Sequence, residues 1–232
     1  MKRKYIIGTG YYAGIAEGKK AEFFDIWYQN VLKYSDPVDI FVVNAGSETL
    51  PTKKGKWQDF IWNCGHAHQM DNGQKPIRRI GGWSMSFLVN CMNAYHSDAD
   101  LIYWEQDCLV FNSAIDQLYD EAEEFDCGVI TGRPEHADNQ SLEQSFFLVK
   151  NDFLLPFVQH YIAIDRNEGG PGYMRTEQKF LTVMNGAFRG KMEFTRMGYG
   201  RSRPPEFNPN ENFYIQQVKD KDLEKLKQKE MI

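Results

Sequence analysis

The sequence predicts one α/β domain, residues 1–232, built on a mixed, mainly parallel central sheet flanked by helices. Three observations carry this expectation. Val38-Asp39-Ile40-Phe41-Val42-Val43 and Leu101-Ile102-Tyr103-Trp104 are near-continuous apolar runs, as in strands covered on both faces. A helical pattern separates the first strand from the second, and strand–helix–strand is the opening unit of a doubly wound sheet. The chain has 232 residues, 42% apolar and 14% aromatic, enough for one large core.

Tyr5 to Thr9 reads as the first strand, short and β-prone, ended by Gly8 and Gly10. Ala21 to Tyr34 carries Phe23, Phe24, Trp27, Val31 and Tyr34 at helical spacing, and Ser35-Asp36-Pro37 closes that helix. The second strand, Val38 to Val43, follows at once. Residues 45–81 hold Gly, Pro, Lys, two Trp and two His, an excursion over the sheet edge long enough to suggest function. Ser84 to His96 is a helix with Phe87, Leu88, Cys91 and Met92 on one side, and Leu101 to Trp104 is the third strand. Asn112 to Phe125 is helical, and Cys127 to Ile130 and Gln144 to Val149 are strands. Leu154 to Ile164 is a helix with Pro156 in its first turn, where proline is tolerated. Thr176 suits the N-cap of a helix over Glu177 to Met184. Phe194 to Met197 suits a strand, and residues 198–210 a loop rich in Gly, Pro, Arg and Asn. The charged tail from Asp220 fits either a solvated helix or frayed chain.

The formal charge of −5 and the lack of a dense basic stripe argue against a nucleic-acid polymer as partner. Cys64, Cys91, Cys108 and Cys127 form no CxxC pair, so a zinc site is poorly supported. Reduced thiols inside apolar stretches suit a reducing cytosol. The apolar run after Met1-Lys2-Arg3-Lys4 is too short for a signal peptide, and no stretch reaches the length of a transmembrane segment. A cytoplasmic setting is expected, or a fragment cut from its anchor.

The chemistry concentrates in Asp98 to Val110, where the apolar third strand runs into Glu105-Gln106-Asp107. Ligands of open α/β sheets gather beyond the carboxyl ends of the strands. Two hard oxygen ligands there suit Mn²⁺ or Mg²⁺, ions that grip a diphosphate. Alone, an acidic-x-acidic tripeptide also fits a polar strand-to-turn transition; its place after a helix and an apolar strand favours the functional reading.

The order strand, helix, strand, excursion, helix, then strand with an acidic pair resembles the GT-A (Rossmann-like) glycosyltransferase family. Trp104-Glu105-Gln106-Asp107-Cys108-Leu109 looks like a variant of its DxD motif, with Glu in the first acidic place, in the manner of small viral or bacterial members. The resemblance implies a hexosyl- or deoxyhexosyltransferase that moves sugar from a nucleoside diphosphate sugar donor to a hydroxyl of a carbohydrate or glycan acceptor. It implies a nucleotide-sugar-binding half over 1–110, an acceptor-side half over 111–215 and a charged tail over 216–232. It makes Asp107 the direct metal ligand, and gives Glu105 the ribose or metal-bound water, with the metal a second possibility. A late histidine ligand is missing, since none follows His160; Tyr214-Ile215-Gln216-Gln217 could stand in its place.

Loops after the first two strands hold the nucleoside in such folds, here Thr9, Gly10 and Tyr11, with Asn44 beside Ala45. Tyr11 could stack on a base, although Gly8-Thr9-Gly10 also fits a plain turn. Arg78 or Arg79 could fork onto a phosphate, or both stay solvated. Trp83 and Gln106 join the donor-binding set. Arg201 and Arg203, in Gly198-Tyr199-Gly200-Arg201-Ser202-Arg203-Pro204-Pro205, could close over the diphosphate or lie on a surface turn. The expected carboxylate base is Glu177, with Glu168 second; an acid in a helix's first turn is also favoured by the helix dipole. His66 and His68 suit an acceptor-lining or surface role. An inverting course is expected, because the C-terminal His-x-Gly-x-x-Lys-Pro-Trp signature of one retaining group is absent.

Two rivals stand beside this reading. A sugar-nucleotide pyrophosphorylase-like nucleotidyltransferase would want a glycine-rich loop with Arg and a following Pro-Lys element, and Tyr5 to Gly18 has neither. A non-catalytic carbohydrate-binding protein on the same scaffold would use Trp57, Trp62, Trp83 and Trp104 as stacking surfaces.

Overall fold

The computed structural model describes residues 3–11, 17–44, 58–61, 82–133, 142–164 and 176–232. In chain order these form β1 (Tyr5–Tyr11), α1 (Glu17–Tyr34), β2 (Asp39–Asn44), β3 (Gln58–Ile61), α2 (Gly82–His96), β4 (Asp100–Trp104), β5 (Cys108–Phe111) and α3 (Ala114–Glu124). Then follow β6 (Val129–Thr131), β7 (Phe146–Val149), α4 (Asn151–Ala163), α5 (Thr176–Asn185), β8 (Met192–Phe194), β9 (Gly198–Gly200), β10 (Phe213–Gln216) and α6 (Asp220–Gln228).

Among the described residues seven strands make the main sheet, in the order β3-β2-β1-β4-β7-β6-β8. β1, β2, β3 and β4 run parallel, as does the β6–β8 pair, while β7 runs antiparallel to both its neighbours. The sheet is therefore mixed and mainly parallel, as expected. Successive residues of a strand face opposite sides, and both sides are covered. Ile7 and Tyr11 of β1 with Ile102 and Trp104 of β4 face α1 and α3, meeting Phe24, Trp27 and Leu118. Ile6, Leu101 and Tyr103 face α2, α4 and α5, meeting Phe87, Phe157 and Phe180. Burial on both faces explains the unbroken apolar runs of β2 and β4.

A second sheet, in the order β5-β10-β9, leaves the first at the end of β4. Its far side is a third core of Leu109, Phe111, Phe207, Phe213, Ile215, Leu226 and Met231. The two sheets are tied where they part. Trp104, fully buried, donates from Nε1 to the carbonyl of Cys108 at 2.9 Å, and Asn30 of α1 accepts the amide of Val110 at 2.8 Å.

Several local expectations are corrected. Pro156 is the sixth residue of α4, not in its first turn, and its missing N–H forgoes the helical bond to residue 152. Residues 108–111 form a strand of their own, and Gly198–Gly200 is a strand rather than loop, because each finds a partner in β10. The C-terminal helix is docked rather than solvated. Leu226 and Met231 are buried, and Lys33 Nζ and Tyr34 Oη donate to the Met231 carbonyl at 2.9 and 3.0 Å. Gly8 is a packing glycine: a Cβ there would overlap Asn90, whose amide donates to the Thr9 carbonyl and draws α2 onto β1. Among the described residues no helix is long and apolar enough to cross a membrane.

Trp104→Phe keeps the ring but leaves the buried Cys108 carbonyl without its donor. It is expected to lower unfolding free energy by about 1–3 kcal/mol, read as a lower urea midpoint at unchanged m. An unchanged midpoint means the bond joining the sheets contributes nothing.

Candidate active site

Because β1, β2 and β4 are parallel, Tyr11, Asn44 and Trp104 end at one sheet edge. Antiparallel β7 begins at that edge, with Phe146 opposite Trp104. The chain leaves β4 through Glu105, Gln106 and Asp107 and enters β5, the Cys108 amide closing the turn on the Glu105 carbonyl at 3.0 Å. The acidic turn thus lies between the two sheets, where strand ends converge.

Glu105 is partly buried and held from both sides. Trp83 Nε1, at the start of α2, donates to Oε1, and Ser145 Oγ donates to Oε2 at 2.5 Å. The Glu105 amide also donates to the Ser145 carbonyl at 2.8 Å. Burial, then the neighbouring Asp107, pushes the Glu105 carboxyl up to about 8; the two side-chain hydrogen bonds oppose the shift, and Glu177 adds to it. Asp107 and Glu177 are therefore both within electrostatic reach of Glu105.

The segment entering β7 joins the rest. Gln144 Nε2 donates to Thr176 Oγ1 at 2.7 Å, and Thr176 Oγ1 donates to Glu177 Oε2 at 3.1 Å. Thr176 is thus the first residue of α5 rather than its cap. Glu143, buried, accepts the Tyr214 hydroxyl at 2.6 Å and the Arg201 amide at 3.0 Å. Glu143, Gln144 and Ser145 each hold a different element around the turn, and none of the three stands out in the sequence as a candidate. Their one signal is three consecutive polar residues leading into the apolar run Phe146 to Val149.

Other expected residues fare differently. Tyr11 cannot stack on a base: its ring is fully buried edge-on to Phe24, 5.3 Å between centroids. Thr9 is fully buried too, and the face of Gly10 is filled by Ser86 of α2, so these residues pack helix on sheet. Asn44 is buried at the end of β2, and Gln106 is partly buried in the acidic turn. Trp104 is core, not a sugar-stacking surface. Trp83, partly buried, stacks on Phe87 and meets the site through Glu105. Arg203 does not reach for a phosphate. Its five N–H groups go to Asp222 and to the carbonyls of Gly200, Ser202, Gln216 and Gln217. Arg201 is exposed two residues earlier. Arg78, Arg79, Glu168, His66, His68, Trp57 and Trp62 lie outside the described residues.

Among the described residues no group of three or more His, Cys, Asp or Glu side chains is arranged to hold a metal ion. Oxygen donors nevertheless lie in and beside the acidic turn. Carboxylates gather at the turn, and the buried amide oxygen of Gln216 has no hydrogen-bond partner. Gln216 pairs with Cys108, the residue after Asp107, and oxygen donors of both kinds suit Mg²⁺ or Mn²⁺.

No protein-family model matches the chain, and no curated protein matches it. Solved structures do. The galactosyltransferase LgtC, in complex with donor and acceptor sugar analogs, is 14% identical with a TM-score of 0.50, over 82% of this chain and 72% of that one. The apo-form glycosyltransferase GlyE of Streptococcus pneumoniae is 11% identical with a TM-score of 0.55, over 94% of this chain and 55% of its own. A putative glucose-1-phosphate thymidylyltransferase from Bacillus anthracis is 9% identical with a TM-score of 0.55, over 99% and 95%. At these identities the likeness is one of fold alone, a mixed α/β sheet flanked by helices.

The raised Glu105 carboxyl has a measurable consequence. Between pH 4.5, its ordinary value, and about 8, the folded protein holds a proton that the unfolded chain has released. Stability therefore falls as pH rises through that window. Measured without added metal, the unfolding free energy of the wild type relative to Glu105→Gln is expected to decline across it, by at most about 1.4 kcal/mol per pH unit. A pH-independent difference would mean that Glu105 is ionised throughout.

Proposed function

We propose that this protein transfers a sugar from a nucleoside diphosphate sugar to a hydroxyl of a carbohydrate or glycan acceptor, with Mn²⁺ or Mg²⁺. The observation that carries the reading is the acidic turn at the converging strand ends, with Glu105 gripped between Trp83 and Ser145 and Glu177 close enough to perturb it. Asp107 and the Gln216 amide oxygen would hold the cation, with Glu105 beside them. When bound, it offsets charge on the departing nucleoside diphosphate.

The protein's own groups have separate tasks. Glu105 is aimed by its two donors, so its orientation is set before any ligand arrives. Glu177 takes the acceptor proton as the hydroxyl oxygen attacks the anomeric carbon, giving inversion. The chain Gln144–Thr176–Glu177 holds that carboxylate in direction. Arg201 meets the diphosphate from the second sheet. Buried Cys91, Cys108 and Cys127, none of them in a disulfide, suit a reducing cytoplasm.

A second reading, nucleotidyl transfer, gains from the near full-length likeness to the thymidylyltransferase. Against it, Tyr5 to Gly18 has neither the glycine-rich loop with Arg nor the Pro-Lys element of such enzymes. The carbohydrate-binding reading loses one of its proposed stacking surfaces, since Trp104 is core.

A thermal-shift screen of nucleoside diphosphate sugars with and without Mn²⁺ is expected to find one donor that raises the melting temperature only with metal. Asp107→Ala should abolish that dependence, and an undiminished shift removes Asp107 from the site. Glu177→Gln should keep donor binding and lose roughly 10²–10⁴ in transfer rate. Release of free nucleoside diphosphate supports transfer; pyrophosphate exchange supports the second reading instead.

A further inference from the structure

We propose that Glu143 is a positioning residue: its buried carboxylate sets the Tyr199–Arg201 turn and so directs the Arg201 guanidinium to the diphosphate of the donor. The ligand in this statement rests on the transferase reading; the contact rests on geometry alone.

The turn is an unusual piece of chain. Tyr199 has φ of 83° and Gly200 φ of 54°, two successive residues in the left-handed region. For a bulky aromatic residue this is strained, and such backbone persists only where its surroundings over-determine it. Tyr199 is held by its hydroxyl, which donates to Glu211 at 3.0 Å, and by Phe213, 4.8 Å between ring centroids. Gly200 is pinned by Glu143: a Cβ at that position would overlap the carboxylate. On the carboxylate, Oε1 accepts the Arg201 amide and Oε2 the Tyr214 hydroxyl. Burial raises the Tyr214 phenol well above its ordinary range, so that hydroxyl stays a donor.

A buried carboxylate is costly unless donors satisfy it. An apolar side chain could fill the same space, but only an acceptor can aim the Arg201 amide. The far end of the turn is locked as well, since all five donors of Arg203 are committed to Asp222 and to backbone carbonyls. The backbone of Arg201 is therefore fixed from both sides. Glu143 belongs to the same short segment that orients Glu105 through Ser145 and Glu177 through Gln144. One stretch of three residues thus sets the acidic groups and the cationic group relative to each other.

The test uses the full chain and two measurements. Hydrogen exchange reads the contact: in Glu143→Ala the Arg201 amide should exchange at least about tenfold faster, with the Glu105 amide unchanged. Calorimetry with Mn²⁺ and UDP, GDP or TDP, each against its monophosphate, reads the ligand. Arg201→Ala and Glu143→Ala should each weaken the preferred diphosphate about tenfold and the monophosphate much less, and the double variant should be no worse than either single one. Glu143→Gln retains an acceptor for the Arg201 amide and should bind within about threefold of wild type, which guards against a variant that merely folds poorly. Unchanged exchange at Arg201, or losses that multiply in the double variant, overturn the proposal while leaving the transferase reading intact. A wild type that binds no nucleoside diphosphate overturns that reading and the ligand named here, even if the exchange result stands.

Discussion

A carboxylate drawn out of water next to other carboxylates must be answered by hydrogen-bond donors or a cation, and much of this structure is organised as that answer. Glu105 lies at the mouth of a parallel sheet with Asp107 and Glu177 in reach. Trp83 comes from the start of α2 and Ser145 from the residue before β7, two elements that also pack on each other through Phe87 and Phe147. Low effective dielectric strengthens both the repulsion and the compensating bonds. The hydrogen bonds from Trp83 and Ser145 therefore offset part of the cost of that burial.

The sheet topology makes this possible. Parallel β1, β2 and β4 deliver their carboxyl ends to one edge, while antiparallel β7 delivers its amino end to the same edge. A fully parallel sheet would have offered only strand exits there. Reversal of β7 brings Glu143, Gln144 and Ser145 into the site as a strand entrance, so consecutive residues can reach three separate elements. The second sheet meets this segment through Glu143, which accepts from Tyr214 of β10 and from the Arg201 amide just after β9.

The sequence made the main sheet legible wherever periodicity was strong. The apolar runs of β2 and β4 and the helical spacing of α1 and α2 correspond to the observed elements within a few residues. The acidic turn was legible because a charged tripeptide interrupts an apolar strand. The small sheet was not, since its strands have only three or four residues and pair across a hundred positions of chain, as Phe111 does with Phe213. Hydrogen bonds such as Ser145 to Glu105, forty residues apart, leave no local pattern either. Tyr11 and Arg203 misled for a common reason: residue type suggests an affinity for ligands, whereas neighbours decide whether the group is already engaged. Tyr11 is enclosed by α1, and Arg203 is saturated by backbone oxygens.

The pairing of β5 with β10 also has a consequence for biosynthesis. Leu109 and Phe111 are made about a hundred residues before Phe213, Ile215 and Leu226, which cover them. Contacts that wait on distant sequence form slowly. A nascent chain can assemble β1, β2 and β4 early and still display a sticky apolar surface beside an unfinished acidic turn. Chaperone capture, or stalled growth near the ribosome exit, would thus strike the acidic edge before it touches the rest of the scaffold.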